Sequence, residues 1–349
     1  MLTDVTAHRP RVTLDDVAGA AGVSRMTASY TFNRPERVAA ETRRRVLAAA
    51  DELGYRGPDP NARALRRPAL RSLGLLLGES LDYVFEDPQA TRFVAGLARE
   101  CSKLAYGLTI LPTSSAESDA AAVRAAAVDA FVVWTTTADD PALASALATR
   151  RPVVVHGGPR LEAAALVGID DRAAARELAH EVWRRASAPA VLSFPLDRKR
   201  HSALVHGLDP DTAAYPVTRA RLQGFQDAAR ERGFAWDEIP VLVCSRNDRA
   251  DAARGMAALM ASARRPDAIS AMSDQLAFGA RDAQDSLILG GFDDSEEAAR
   301  GGLTTIRQSL FEQGSRAARL ALHAGEQAES ERDSWTLIKR ASTLGGGLT

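Results

Sequence analysis

From Ser72 onward the chain repeats one pattern, a run of three to five apolar residues followed by a helical stretch. The runs are Leu73–Leu77, Leu108–Leu111, Ala130–Trp134, Val153–Val155, Ala165–Ile169, Ala190–Phe194, Val241–Cys244, Ala268–Met272 and Leu287–Gly290. Helical spacing marks the intervals, among them Ala90–Ala105, Ala173–Arg185 and Arg219–Arg232. Short buried strands alternating with helices indicate parallel pairing, because a helical crossover returns the chain to the end of the sheet where the previous strand began. These strands are too many for one ordinary sheet, so two similar doubly wound lobes are expected. In such lobes ligands bind beyond the carboxyl ends of the strands.

The first 71 residues follow a different rule. Thr13 is placed as a helix N-cap, with Asp16 three positions on to reach back to its amide, and Val17, Ala18 and Ala21 recur at helical spacing. Gly22 breaks that helix and Ser24 caps a second, from Arg25 to about Phe32. On the second helix Ala28, Thr31 and Phe32 form an inward side. Arg25, Met26, Ser29 and Tyr30 face the other way, where they could reach base edges or phosphates. This is the pattern of a helix-turn-helix, whose second helix enters the major groove. A two-helix corner inside a larger helical domain has the same local signature.

A third helix, Ala39 to Leu53, is expected to turn Val46, Leu47, Ala50 and Leu53 inward and to close at Gly54. Three stretches now stand at fixed spacing. They are Val12-Thr13-Leu14-x-Asp16-Val17-Ala18-x-x-Ala21-Gly22-Val23-Ser24-x-x-Thr27-x-Ser29, then Asn33-x-Pro35-x-x-Val38-x-x-x-Thr42-Arg43-x-x-Val46, then Glu52-Leu53-Gly54-Tyr55. In these residues the chain resembles the LacI/GalR (lactose- and galactose-repressor-like) family of transcriptional regulators, and the likeness extends more loosely over nearly the whole length.

The resemblance implies a small all-α head, residues 1–57, and a hinge, 58–71. It also implies an α/β bilobed periplasmic-binding-protein-like body over 72–343. The N-lobe is expected at about 72–158 and 304–326, and the C-lobe at about 159–303 and 327–343, with crossovers near Gly157–Leu161, Leu303–Ile306 and Gly325–Ser330. On the DNA side it implicates Thr13, Ser24, Arg25, Met26, Thr27, Ser29, Tyr30 and Asn33. In the hinge it implicates Ala62 and Leu65, the latter at the position of the leucine that wedges into the minor groove. A hinge helix of under two turns is unstable alone, so ordering on DNA is expected; a plain linker would have the same composition. The implied partners are a pseudo-palindromic double-stranded operator, a second copy of the chain, and a small-molecule effector, a sugar or a metabolite of one. Departures from the family pattern are Tyr30 where arginine is common, Ala39 where a serine cap is usual, and one extra residue near Gly57. The segment Ala280–Leu289 is short, and Leu196–Pro216 is long enough to form a flap near the cleft.

Charge is distributed as such a division requires. Residues 1–71 carry 13 arginines against 8 acids, net +5, while the remainder is net −6. No apolar run approaches a membrane span, none opens the chain as a secretory signal would, and Cys101 and Cys244 make no disulfide framework; a cytoplasmic protein is expected. The six histidines lack ligand spacing, so no metal is expected. Walker A, G-x-S-x-G and H-E-x-x-H patterns are lacking, so neither catalysis nor a cofactor is expected.

Residues following the apolar runs are the candidates for effector contact. Tyr83, Phe85 and Phe93 offer aromatic faces and Asp87 a carboxylate, although core packing would use the same aromatic residues. Ser273 and Asp274 follow a later run, with Ser273 where many relatives of this type carry asparagine. By the resemblance, Arg221 in Arg-Leu-Gln-Gly-Phe225 reaches the effector and Asp293 in Gly-Gly-Phe-Asp-Asp binds it. Two other readings share these features: a solute-binding protein of transport, and an architectural DNA-binding protein without effector response.

Overall fold

The computed structural model describes residues 12–33, 37–53, 55, 70–78, 81–113, 117–323 and 331–344. The chain divides into two compact units, Met1–Leu70 and Arg71–Thr349.

In the first unit α1 (Leu14–Ala21), α2 (Arg25–Asn33) and α3 (Ala40–Glu52) surround a core of Val17, Ala18, Ala21, Ala28, Val46, Ala49 and Ala50. Thr13 and Asp16 close a reciprocal capping box. Gly22 takes φ 65°, a left-handed conformation that a side chain would strain, and this lets α1 stop within one residue. Thr27 N then bonds Ser24 Oγ at 3.1 Å, satisfying a free amide in the first turn of α2. Ala39 caps α3 without a side-chain bond. The inward face of α3 differs from the expected one: Ala49 is buried, whereas Leu47 and Leu53 are exposed. Leu47 lies about 100° round the helix from Val46, off the stripe that touches α1. Gly54 lies outside the described residues.

The second unit holds thirteen strands among its described residues: β1 (Ser72–Leu77), β2 (Gly107–Pro112), β3 (Ala130–Trp134), β4 (Val153–His156), β5 (Ala165–Gly168), β6 (Pro189–Ser193), β7 (Ala203–Val205), β8 (Val241–Val243), β9 (Ala268–Ala271), β10 (Ile288–Phe292), β11 (Thr304–Arg307), β12 (Glu331–Arg332) and β13 (Thr336–Ile338). They form a six-stranded sheet in the order β12-β5-β4-β3-β1-β2 and a seven-stranded sheet in the order β13-β11-β10-β9-β6-β8-β7. Pairing is parallel throughout the first sheet. In the second it is parallel except at the two edges, where β13 on β11 and β7 on β8 are antiparallel. In each sheet the order reverses at the first strand, β1 or β6, and there the carboxyl ends open a crevice.

The lobe boundaries expected from sequence need correction. β5 pairs with β4 in the first sheet, so Ala165–Gly168 belongs to the first lobe, and β11 pairs with β10, so Thr304–Arg307 belongs to the second. The chain therefore crosses after β5, after β11 and after β12, the first well past its expected place and the other two only a few residues past theirs. The crossing residues, Ile169–Asp170, Gln308–Ser309 and Asp333–Trp335, lie at or beyond the ends of apolar runs and have no run of their own to reveal them. The short 280–289 segment is accommodated: the helix Asp274–Ala283 runs through Gln284–Leu287 directly into β10. Among the described residues no helix is long and apolar enough to cross a membrane.

Candidate functional site

On α2 the inward residues Ala28 and Thr31 are buried, and Phe32 packs edge-on against Tyr55 at 5.8 Å between ring centroids. The opposite side offers Arg25 and Met26 exposed, with Thr27, Ser29 and Tyr30 half-buried. Arg25 Nε lies 3.2 Å from Asp15 Oδ1, an exposed ion pair of small worth that a phosphate could displace. Thr13 and Ser24 act as caps, each accepting from an amide in the first turn of its helix. The side chain of Asn33, and Ala62 and Leu65 altogether, lie outside the described residues.

The second unit encloses a cavity of about 120 Å³ where the strand ends of its two sheets face each other. Arg221 is the charged centre of its wall. Its helix, Pro216–Arg232, packs backbone to backbone on Asp171–Val182 because Gly224 has no side chain; a Cβ there would stand 2.3 Å from Arg172 O. That close approach brings Arg221 Nε within 2.8 Å of Asp171 Oδ1, while its Nη1 donates to Met272 O. The guanidinium lies 3.7 Å from the Phe292 ring centroid, so the buried cation is paired, hydrogen-bonded and stacked.

Asp293 follows β10 with φ 109°, a conformation costly for a residue with a side chain, which aims its carboxylate at the cavity. Burial raises its pKa and the Arg221 cation opposes that rise. Gln308 Nε2 donates to Asp293 Oδ1 at 2.8 Å. From the other lobe come His156, at the end of β4, and Gln313, whose Oε1 lies 2.6 Å from His156 Nε2. Burial lowers the His156 pKa to about 4, keeping the ring neutral.

The lobes also touch directly. Asn247 Nδ2 donates to Asp87 Oδ2 at 3.1 Å, and Asn247 Oδ1 accepts from Ser273 Oγ. The long segment after Leu196 does reach across: Arg200 donates to Gly78 O at 3.2 Å, and Arg198 pairs with Asp139 at 3.7 Å.

Of the eight residues proposed from sequence for effector contact, Tyr83, Asp87, Arg221 and Asp293 line the cavity. The other four do not. Phe85 is 70% exposed, since two positions along a helical turn from Tyr83 carry it to the outer side. Phe93 is wholly buried behind the wall, 4.4 Å from Trp134 and 4.6 Å from His156 between ring centroids. Ser273 caps the helix that follows it. Asp274 ties Thr305 Oγ1 at 2.7 Å and Ser295 N at 2.8 Å, bracing the turn after β10. Burial and the nearby Asp293 push its pKa up.

Sequence reading missed Trp134, His156, Asp171, Phe194, Arg200, Asn247, Gln308 and Gln313, all of which line the cavity. Trp134, His156, Phe194 and Gln308 stand at or just beyond strand ends, so the rule used for Asp293 would have found them. Gln313 lies within a helix and carries no local signal.

Comparison with known proteins accounts for both units. The profile of bacterial regulatory proteins of the lacI family matches residues 13–58, and that of the periplasmic binding protein-like domain matches residues 196–343. The HTH-type transcriptional regulator Rv3575c of Mycobacterium tuberculosis is 39% identical over 329 residues, which cover 90% of this chain and 91% of that protein. The chain belongs to the LacI family. It is a transcriptional regulator of LacI type, with a helix-turn-helix domain and a periplasmic-binding-protein-like body. Among solved structures, a LacI-family transcriptional regulator from Corynebacterium glutamicum superposes with a TM-score of 0.70 at 27% identity, covering 95% of this chain and 98% of that one. The transcriptional regulator CelR in complex with cellobiose superposes with a TM-score of 0.67 at 23% identity, covering 95% of this chain and all of its own.

Proposed function

We propose that this regulator is a repressor whose affinity for a pseudo-palindromic operator is set by a neutral sugar, or a metabolite of one, bound in the cleft of the body. The observation that carries the reading is the make-up of the cavity wall. The aromatic residues Trp134, Tyr83 and Phe194 share it with Asp87, Asp293, Arg221 and His156. Aromatic residues combined with donors and acceptors suit a ring bearing several hydroxyls. CelR, whose body has this fold, holds cellobiose.

In this reading residues 1–57 read the duplex through Arg25, Met26, Ser29 and Tyr30, with Thr13, Ser24, Thr27 and Asn33 at the phosphates. Residues 58–71 form the hinge, where Ala62 and Leu65 of two copies meet in the minor groove and kink the operator. The homodimer is part of the mechanism, because two weak half-site contacts become strong only when linked. The sugar binds one arrangement of the lobes better than the other and so shifts the population that holds DNA. The chain works in the cytoplasm, where its operator is.

Selection of bound DNA from a random pool, repeated with a panel of neutral sugars, tests this. A two-fold symmetric site should emerge, and one sugar should release it; Leu65→Ala should reduce both affinity and bending. Enrichment of no sequence over random competitor would refute the operator reading. Enrichment unaffected by every sugar, with no thermal stabilisation by any, would leave a DNA-binding protein without this effector class.

A further inference from the structure

Four side chains form one hydrogen-bonded line from the second lobe to the first. Asp293 Oδ1 accepts from Gln308 Nε2 at 2.8 Å, Gln308 Oε1 accepts from Gln313 Nε2 at 3.1 Å, and Gln313 Oε1 faces His156 Nε2 at 2.6 Å. Asp293 follows β10, Gln308 lies in the crossing after β11, Gln313 is in the helix Leu310–Leu322, and His156 ends β4. All four border the cavity.

The direction of this line is dictated by its first member. A carboxylate only accepts, so Gln308 must turn its amide nitrogen to Asp293 and its oxygen to Gln313. Gln313 must then give its nitrogen to Gln308 and its oxygen to the imidazole. A carbonyl oxygen cannot donate, so the proton of the neutral ring resides on Nε2, and Nδ1 is left as a bare lone pair. The ring cannot turn freely, packed 4.6 Å from Phe93 and 5.1 Å from Trp134 between centroids. Its Nδ1 is buried and has no partner, in a residue 7% exposed. A buried acceptor left unmet is unfavourable until something donates to it.

We propose that His156 Nδ1 is a specificity-determining acceptor, held in that role by Gln308 and Gln313, and that the ligand of this cleft presents a hydroxyl donor to it. A keto or carboxylate oxygen at the same place would set lone pair against lone pair, so a neutral polyol is preferred over its oxidised counterpart. Gln308 and Gln313 are positioning residues, acting through the ring and not on the ligand. This rests on the reading of the cleft as an effector site and deepens it.

The test has two arms on the full-length protein. Nitrogen-15 NMR of the imidazole at pH 7, assigned by its loss in His156→Phe, should show the Nε2–H tautomer. Gln313→Leu should give a mixture of tautomers, while Gln313→Glu, which still accepts from Nε2, should retain the original one. A Nδ1–H tautomer or an imidazolium in the native protein overturns the relay, as does an unchanged tautomer in Gln313→Leu. In the second arm cellobiose, ribose and other neutral sugars are titrated beside their aldonic acids. A neutral sugar should bind and move the Nδ1 resonance, and His156→Phe should weaken it about fivefold, the worth of one neutral hydrogen bond. Binding that leaves Nδ1 unmoved, or that favours the acids, overturns the ligand assignment. Binding of nothing in the panel overturns the polyol reading of the cleft, and the tautomer result then shows separately whether the relay stands.

Discussion

Replacing Arg221 by methionine separates its role as a buried counter-ion from any contact it makes to a ligand. Methionine keeps an unbranched apolar side chain of similar reach but removes the guanidinium that stacks on Phe292 and bonds Asp171 at 2.8 Å and Met272 O. Arg221 is buried and Asp171 largely so, with side-chain exposures of 6% and 13%. Removing one partner of such a pair costs about 3–5 kcal/mol, because the remaining charge keeps its desolvation penalty and loses its compensation. Asp293 also loses the cation that opposes its own burial. Converting Asp171 to asparagine in the same chain removes the carboxylate that has lost its guanidinium and should return about 1–3 kcal/mol. The assay is urea unfolding at pH 7 followed by tryptophan fluorescence; all four tryptophans, Trp134, Trp183, Trp236 and Trp335, belong to the body. A loss below about 1 kcal/mol for Arg221→Met, or strictly additive single variants, would refute the buried counter-ion argument.

Protonation of His156 should destabilise the body in acid. The unfolded ring binds a proton near its ordinary value of 6.5 and the native ring only near 4, so stability is lost as the pH falls through that window, by about 3 kcal/mol in full. The difference in unfolding free energy between pH 7 and pH 4 should therefore be smaller in His156→Phe, and equal slopes would count against the burial of the ring. Gly224→Ala should cost about 1–3 kcal/mol by forcing two helices apart, and should weaken ligand binding with it, measured by urea unfolding and calorimetric titration. Ala39→Ser should stabilise the head by roughly 1 kcal/mol by supplying the side-chain cap that α3 lacks, seen as a higher melting temperature for the head transition.

The head was legible because its signals are local. The Thr13–Asp16 box, the Gly22 turn and the Ser24 cap are all settled by neighbours within four positions. The error at Leu47 came where a helical stripe had to be chosen among several apolar residues, which only the partner helix decides. Strand positions were legible from runs of buried residues, yet the crossings between lobes were not, since those residues have no pattern of their own. The cleft was half legible for the same reason. Asp293 and Tyr83 follow strands, as the rule requires, but so do Ser273 and Asp274, which turn away to cap a helix and brace a loop. His156 and Gln313 meet across 157 residues of chain, and Asn247 and Asp87 across 160. No window of sequence contains both ends of either contact.

The threefold crossing of the chain has a consequence for how the molecule is made. The first lobe begins at β1, but its sheet is completed by β12, and the helix Leu310–Leu322 that packs on Pro88–Lys103 arrives only after β11 has been synthesised. All of the second sheet except its edge strand β13 thus leaves the ribosome before the first sheet can finish. The lobe that starts earliest must wait longest with part of its apolar surface uncovered, so truncation between β11 and β12, after Arg307 and before residue 332, should leave that lobe, more than its later-made neighbour, dependent on chaperones.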